Sequence, residues 1–245
     1  ALSGDHEGYT ILNSGNAATI RKTTMPNLPF DEDRDFDAVS PIATFDLVMV
    51  TKPDSKFKSV KDVIAFAKVN PGKLNIGTVS VGTTQYLSAE LLRTIADIKA
   101  TIIPYKKSPQ LMGAVAGGEV DVALEIIAGA KNAIKSGQVV AIGTTGAKRS
   151  EVLEGVPTFE ESGVKPYIVG SWNSYITPKG TPPDVIKKLN TEIQRILHLP
   201  EVKKTMLDYG MEPFYGGPEA VTERYKADIA KWHDVIVKAG IPIKK

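Results

Sequence analysis

Cysteine is absent from the 245-residue chain. Its absence removes disulfides, thiolate nucleophiles and cysteine-based metal sites, and suits a chain that meets oxidising surroundings. Histidine is scarce, with only His6, His198 and His233. None stands in a metal-ligand or nucleophile pattern such as H-E-x-x-H or G-x-S-x-G, and each reads as a surface residue. An excess of either charge is lacking too: 30 basic against 28 acidic side chains leave a net +2. No basic block marks a nucleic-acid footprint. No apolar run reaches membrane-spanning length, and the chain opens at Ala1-Leu2-Ser3-Gly4 without a signal peptide. Internal repeats and low-complexity tracts are missing as well.

What is present is a globular pattern, 42% hydrophobic. Tyr9–Leu12 reads as a strand that ends in a polar loop, Asn13-Ser14-Gly15-Asn16. Phe36–Ala43 and Phe45–Val50 read as two strands or one long bent one. Ser59, with Asp62 three residues on, caps a helix whose apolar face is Val60, Val63, Ile64 and Ala67. From Ser59 to Thr145 helices and strands alternate, which predicts right-handed crossovers and a mainly parallel sheet. Thr181-Pro182-Pro183-Asp184 reads as a helix start with a threonine cap. A last helix from Pro218 to Ala239 sets Val221, Tyr225, Ile229, Trp232 and Ile236 on one face.

The stretch Leu74–Leu92 is the most informative. It reads as a strand, a loop of glycine and hydroxyl residues, and a helix starting near Thr83 or Thr84, with Leu87, Leu91, Ile95 and Ile98 at helical spacing. A helix start offers unpaired N–H groups and partial positive charge, and Gly77 and Gly82 would let the backbone approach a ligand. The two glycines have phosphate-loop spacing, but Thr83 stands where the lysine belongs, so a nucleotide is a poor fit. Neutral donors suit a carboxylate. An ordinary strand-to-helix turn with a threonine cap is the competing reading. Glu125 is placed at a strand end on the same ligand edge. The carboxylate runs Asp31-Glu32-Asp33 and Glu160-Glu161 fit loop solvation or capping, and no base can be assigned to Ser80. No catalytic residue, metal site or cofactor is expected.

In order and spacing, several short motifs resemble one family. They are Pro71-Gly72-Lys73-Leu74-Asn75-Ile76-Gly77, Gly82-Thr83-Thr84-Gln85-Tyr86-Leu87, Ile103-Pro104-Tyr105-Lys106, Gly117-Gly118-Glu119-Val120-Asp121, Val156-Pro157-Thr158-Phe159-Glu160-Glu161-Ser162-Gly163, Ser171-Trp172 and Pro178-Lys179-Gly180-Thr181-Pro182. From Gly8 onward the chain is similar to the tripartite tricarboxylate transporter substrate-binding proteins, the Bug family of periplasmic receptors. The resemblance implies an α/β, bilobal, type II Venus-flytrap fold with two mainly parallel sheets and a ligand cleft between the lobes. Lobe 1 would be residues 1–51 with 172–245, and lobe 2 residues 52–171. The family's first strand and glycine-rich loop are not in this chain, so a longer parent protein and an incomplete first lobe are expected.

The function implied is periplasmic capture of a di- or tricarboxylate, an acidic amino acid or an aromatic carboxylate by a monomer. The acid would be delivered to integral membrane transporter subunits of the same system. The ligand-binding residues implied are Asn13, Ser14 and Asn16 from one lobe and Gly77, Thr78, Val79, Ser80, Gly82, Thr83, Thr84 and Glu125 from the other. Tyr86 replaces a frequent histidine of the family. Glu125 falls where the family often has Asp facing the cleft, and it either orders waters or meets a ligand amino group, or is a solvated strand end. Trp172 is either a cleft wall or core. The alternatives are a ligand-sensing bilobal module for a signalling partner and a small α/β enzyme.

Overall fold

The computed structural model describes residues 7–243; His6 lies outside them. In chain order the elements are β1 (Leu12–Gly15), α1 (Asn16–Thr24), α2 (Glu32–Asp35), β2 (Phe36–Thr51), α3 (Val60–Val69), β3 (Leu74–Val79), α4 (Thr84–Ile95), β4 (Ala100–Tyr105) and α5 (Ser108–Gly117). They continue as β5 (Val122–Ile126), α6 (Ile127–Lys135), β6 (Val140–Thr144), β7 (Gly170–Pro178), α7 (Pro183–Leu197), α8 (Pro200–Asp208), β8 (Glu212–Pro213) and α9 (Pro218–Lys238). Among the described residues no helix is long and apolar enough to cross a membrane.

Two compact units divide the chain. Unit 1 takes the residues up to Thr44 and those from Ser171, and unit 2 is Phe45–Gly170. The first division falls earlier than the expected 51/52 because Phe36–Thr51 is one strand, and its second half is hydrogen-bonded to β5 and β6 inside unit 2.

Unit 2 has the strand order β6–β2–β5–β3–β4. β3 runs parallel to β4 and to β5, as the alternation of helix and strand predicts. β2 runs antiparallel to both β5 and β6, so the sheet is mixed and the mainly parallel expectation is corrected. Periodicity sets the hand of a crossover between consecutive strands. It carries no information on the direction of a strand that arrives from another part of the chain. β2 belongs in the interior of the sheet because Leu47, Val48, Met49 and Val50 are all 0% exposed, the continuous burial expected of a strand covered on both faces. Val50, Leu111, Val115, Ile127 and Ala130 share its core.

The caps of unit 2 follow local chemistry. Ser59 Oγ accepts the Asp62 amide at 3.3 Å, and Asp62 reaches back to the Lys58 amide at 2.9 Å. That contact, ahead of the Ser59 hydroxyl, holds the Asp62 carboxyl below its usual range. Thr145 ties two distant segments together: its Oγ accepts the Leu47 amide at 2.9 Å and donates to the Val169 carbonyl.

In unit 1 the described pairings of β1 with β7 and of β2 with β8 are antiparallel, so the mainly parallel expectation is corrected there too. β7 lies between β1 and β2. β1 is shifted from the expected Tyr9–Leu12. Tyr9 is exposed, and Asn13 and Ser14, read as loop, pair with Tyr175 and Ser174. Pairing with β7 overrides their low strand propensity. The chain then turns into α1 directly at Asn16. Against α1 packs α9, with Val221, Tyr225, Trp232 and Ile236 buried as their spacing predicts. Trp172 is core: it is fully buried, clustered with Ala18, Val221 and Tyr225, and its Nε1 donates to Asp228 at 2.8 Å. Thr181 is not the cap of α7. Its hydroxyl donates to the Pro178 carbonyl at 2.8 Å, and the helix starts beyond it with Pro183.

Candidate functional site

β3 ends at Val79, and Ser80, Val81 and Gly82 turn the chain into α4. The turn is built from the hydroxyl of Thr83. It donates to the Ser80 carbonyl at 2.8 Å and accepts the Tyr86 amide at 3.3 Å, so the same side chain closes the turn and caps the helix. Gly82 sits at φ +84°, with open space where a side chain would stand. Glycine is needed there for its backbone, since other residues pay for the left-handed region. Ser80 and Val81 face solvent, whereas Thr84 and Gln85 are buried.

Gly77, Thr78 and Val79 lie inside β3 rather than in the loop. Gly77 is a packing glycine: a Cβ there would stand 2.5 Å from Leu111 Cδ1 and 3.1 Å from Val120 Cγ2. It lets α5 close onto the strand. Thr78 is fully buried, and its Oγ has no hydrogen-bond partner.

Glu125 is 1% exposed, so it is not a solvated strand end. Its Oε1 accepts from Gln85 Nε2 and from the Ile126 amide, each at 2.7 Å. Its Oε2 is buried without a partner. A buried acceptor left without a donor costs about 1–3 kcal/mol, and more when charged. Gln85, the second residue of α4, thereby links the Thr83 turn to the end of β5. The sequence reading missed Gln85. The signal for it was the buried stripe of α4, in which Gln85, Ser88, Ala89 and Leu92 follow helical spacing.

Asn13, Ser14 and Asn16 belong to unit 1. Asn13 is exposed on β1. The Ser14 hydroxyl donates to Glu32, whose other oxygen pairs with Arg21 at 3.0 Å. Asn16 Oδ1 accepts Trp232 Nε1 at 2.8 Å, so this amide serves the packing of α1 on α9. Ser14 also borders a cavity of about 160 Å³ within unit 1, with Glu32, Asp37, Trp172, Lys179 and Tyr225. Burial, then the charges of Glu32, Asp31 and Asp33, push the Tyr225 phenol up.

The remaining candidates are structural. Glu161 pairs with Arg149 at 3.0 Å and Glu160 accepts the Tyr167 amide at 3.2 Å. Asp31 caps α2 and pairs with Lys22 at 2.9 Å. His198 and His233 are exposed, and His198 lies against Tyr215 with ring centroids 4.2 Å apart. Among the described residues no cluster of metal-ligating side chains occurs. Around the Thr83 turn the chemistry consists of amide N–H groups, hydroxyls and one buried carboxylate, a set suited to holding a ligand.

A family model for the tripartite tricarboxylate transporter family receptor matches residues 3–241. The UPF0065 protein in the tcbD-tcbE intergenic region of Pseudomonas sp. (strain P51) is 30% identical over 233 residues, covering 95% of this chain and 69% of the relative. Protein BugT of Bordetella pertussis is 28% identical over 240 residues, 97% of this chain and 74% of its own length. Among solved structures, R. palustris Rpa4515 with adipate superposes with a TM-score of 0.82 at 28% identity, over 98% of this chain and 81% of that one. The periplasmic binding protein BugD gives a TM-score of 0.76 at 26% identity, over 98% and 81%. The motifs that run from Pro71 to Pro182, the mixed α/β sheets and the match over residues 3–241 agree, and the chain belongs to the tripartite tricarboxylate transporter family of receptors.

Proposed function

We propose that the chain is an extracytoplasmic solute receptor that binds a small organic acid in the periplasm and delivers it to membrane subunits of a tripartite tricarboxylate transporter. The acid is a di- or tricarboxylate, an acidic amino acid or an aromatic carboxylate, and the receptor acts as a monomer built from two lobes. One observation carries the proposal: the Ser80–Thr84 turn, where the left-handed Gly82 and the capping Thr83 present the start of α4 at the carboxyl end of a parallel strand. The ligand contacts are assigned to Ser80, Gly82, Thr83, Thr84 and Glu125. Thr78 and Val79 support the turn from within β3, and Ser14 and Asn16 serve unit 1. Membership of the family and the likeness to Rpa4515, a protein solved with adipate, support an acid as ligand.

The magnitudes are adequate. Hydrogen bonds to a charged group contribute roughly 1.5–3 kcal/mol each. Four or five offset an association cost of about 4–15 kcal/mol only with help from apolar contact and water exclusion. A micromolar dissociation constant needs about 8 kcal/mol net.

A thermal-shift screen against carboxylic acids tests the proposal. At a ligand concentration of about 100 Kd the stabilisation is about 2.7 kcal/mol, which raises Tm by roughly 5–11 °C for a chain of this size. A rise with one acid above the rest is the expected result. No rise with any acid overturns the proposal.

A further inference from the structure

Glu125 keeps one carboxylate oxygen, Oε2, buried and unpartnered while the other is fully engaged by Gln85 and the Ile126 amide. Native proteins leave few such atoms, and each calls for a reason. The surroundings of the carboxylate supply one. Ser108 is the first residue of α5, and Gly129 is the third of α6. A Cβ on Gly129 would stand 3.0 Å from Glu125 Cδ and 3.0 Å from Ser108 Oγ. Gly129 has ordinary helical backbone, so its φ does not require glycine. Glycine is also a poor helix former. What it provides is the room that the Glu125 carboxyl and the Ser108 hydroxyl themselves occupy.

The charge pattern points the same way. α5 and α6 both begin without a side-chain cap, and Glu125 stands one residue before Ile126, the residue that precedes α6. The positive end of that helix therefore already faces a protein carboxylate. A second anion from a ligand would meet like charge there, whereas a hydroxyl or ammonium would meet an acceptor that lacks a donor. Gln85 spans the distance between the α4 turn and Glu125, so the two features lie within one side chain's reach.

We infer that Glu125 Oε2 is a specificity element that selects carboxylic acids carrying a hydrogen-bond donor, a hydroxyl or an ammonium, near the carboxylate held by the Ser80–Thr84 turn. The inference rests on the carboxylate seat proposed above. It excludes plain dicarboxylates as the preferred ligand.

Titration calorimetry on the full chain tests it with two matched sets: succinate, malate and aspartate, and glutarate, 2-hydroxyglutarate and glutamate. In at least one set the donor-bearing acid binds at least about tenfold tighter than the plain diacid, the effect of one hydrogen bond to a charged group. Glu125→Gln keeps the shape and the acceptor for Gln85 but turns Oε2 into a donor. It brings the preference to about twofold or less, or reverses it. Gly129→Ala presses on the Glu125 carboxyl and displaces it, and weakens the donor-bearing acid more than the plain one. This variant also serves if Glu125→Gln does not fold. Equal binding of plain and donor-bearing acids, or a preference that survives both substitutions, overturns the role of Glu125 while the seat stands. If no acid of either set binds and the wider thermal-shift screen is also silent, the seat itself falls, and the inference with it. If the screen finds only acids without a donor, the seat stands and the inference is overturned.

Discussion

Asp228→Ala lowers the stability of the protein by about 3–5 kcal/mol, the cost of breaking a buried ion pair by removing one partner. The Asp228 carboxylate is 2% exposed on α9. Its Oδ2 accepts Trp172 Nε1 and Arg224 Nε, both at 2.8 Å, and Oδ1 pairs with Lys231 Nζ at 2.8 Å. Removing it leaves the indole N–H of a fully buried tryptophan without an acceptor and two half-buried cations without their counter-charge. Asp228→Asn keeps an acceptor for Trp172 and costs less. Denaturant titration of the two variants against the parent measures both losses. A loss below about 1 kcal/mol for Asp228→Ala is the size of an exposed pair and contradicts the account.

The same residue makes stability depend on acid. Burial pushes the Asp228 carboxyl up, but the charges and hydrogen bonds of Lys231 and Arg224 outweigh it and hold it below the ordinary aspartate range. The unfolded chain therefore binds this proton more readily than the folded one. The contribution of Asp228 is complete above about pH 5 and is lost as pH falls below about 4 and through the folded value. Acid unfolding of Asp228→Ala is correspondingly less steep in that window.

Gly82→Val and Thr83→Pro each weaken organic-acid binding at least tenfold, whereas Arg149→Ala leaves it within about twofold, since tenfold corresponds to about 1.4 kcal/mol. Valine at 82 has room for its side chain but not for the backbone at φ +84°. The left-handed region costs a residue with a Cβ about 1–2 kcal/mol. The turn relaxes away from that conformation and its N–H groups are re-aimed. Proline at 83 deletes the hydroxyl that bonds Ser80 and Tyr86, and also the amide that donates to the Ser80 carbonyl at 3.3 Å. Arg149 pairs with Glu161 at the surface of the same unit, and an exposed pair of this kind contributes little. Calorimetry with the acid that gives the largest thermal shift compares the three variants. Equal losses would refute a seat built from backbone donors.

Local chemistry made much of this legible in advance. Ser59 and Thr83 announce helix starts because a cap is a contact within one turn, and the apolar face of α9 repeats at helical spacing. The strand–turn–helix from Leu74 to Ile95 is legible for the same reason. Features that join distant segments were not. The antiparallel course of β2 depends on pairing Leu47 with Ile126, and nothing in the local composition of either strand states its direction. Ser14 and Asn16 look like loop residues until β7 and α9 supply their partners. Gly77 and Gly82 look alike in one dimension, yet one makes space for Leu111 and the other supplies a left-handed turn. Glu125 was marked by position, but its burial is set by α4, α5 and α6 together.

The division of the chain also bears on how it folds. Unit 2 is one continuous stretch, so its contacts can form as soon as that stretch is made. Unit 1 is assembled from two ends, and the bond between Asn16 and Trp232 spans 216 residues. Closing so long a loop carries an entropic cost that grows with the logarithm of its length, and non-local pairing of this kind slows folding. During synthesis α1 has to wait for α9, so its buried face stays uncovered until α9 has emerged. A finished unit 2 shortens the effective loop by holding residues 45 to 170 in a compact form. The Thr145 hydroxyl, which bonds Leu47 and Val169, joins that stretch close to its two ends.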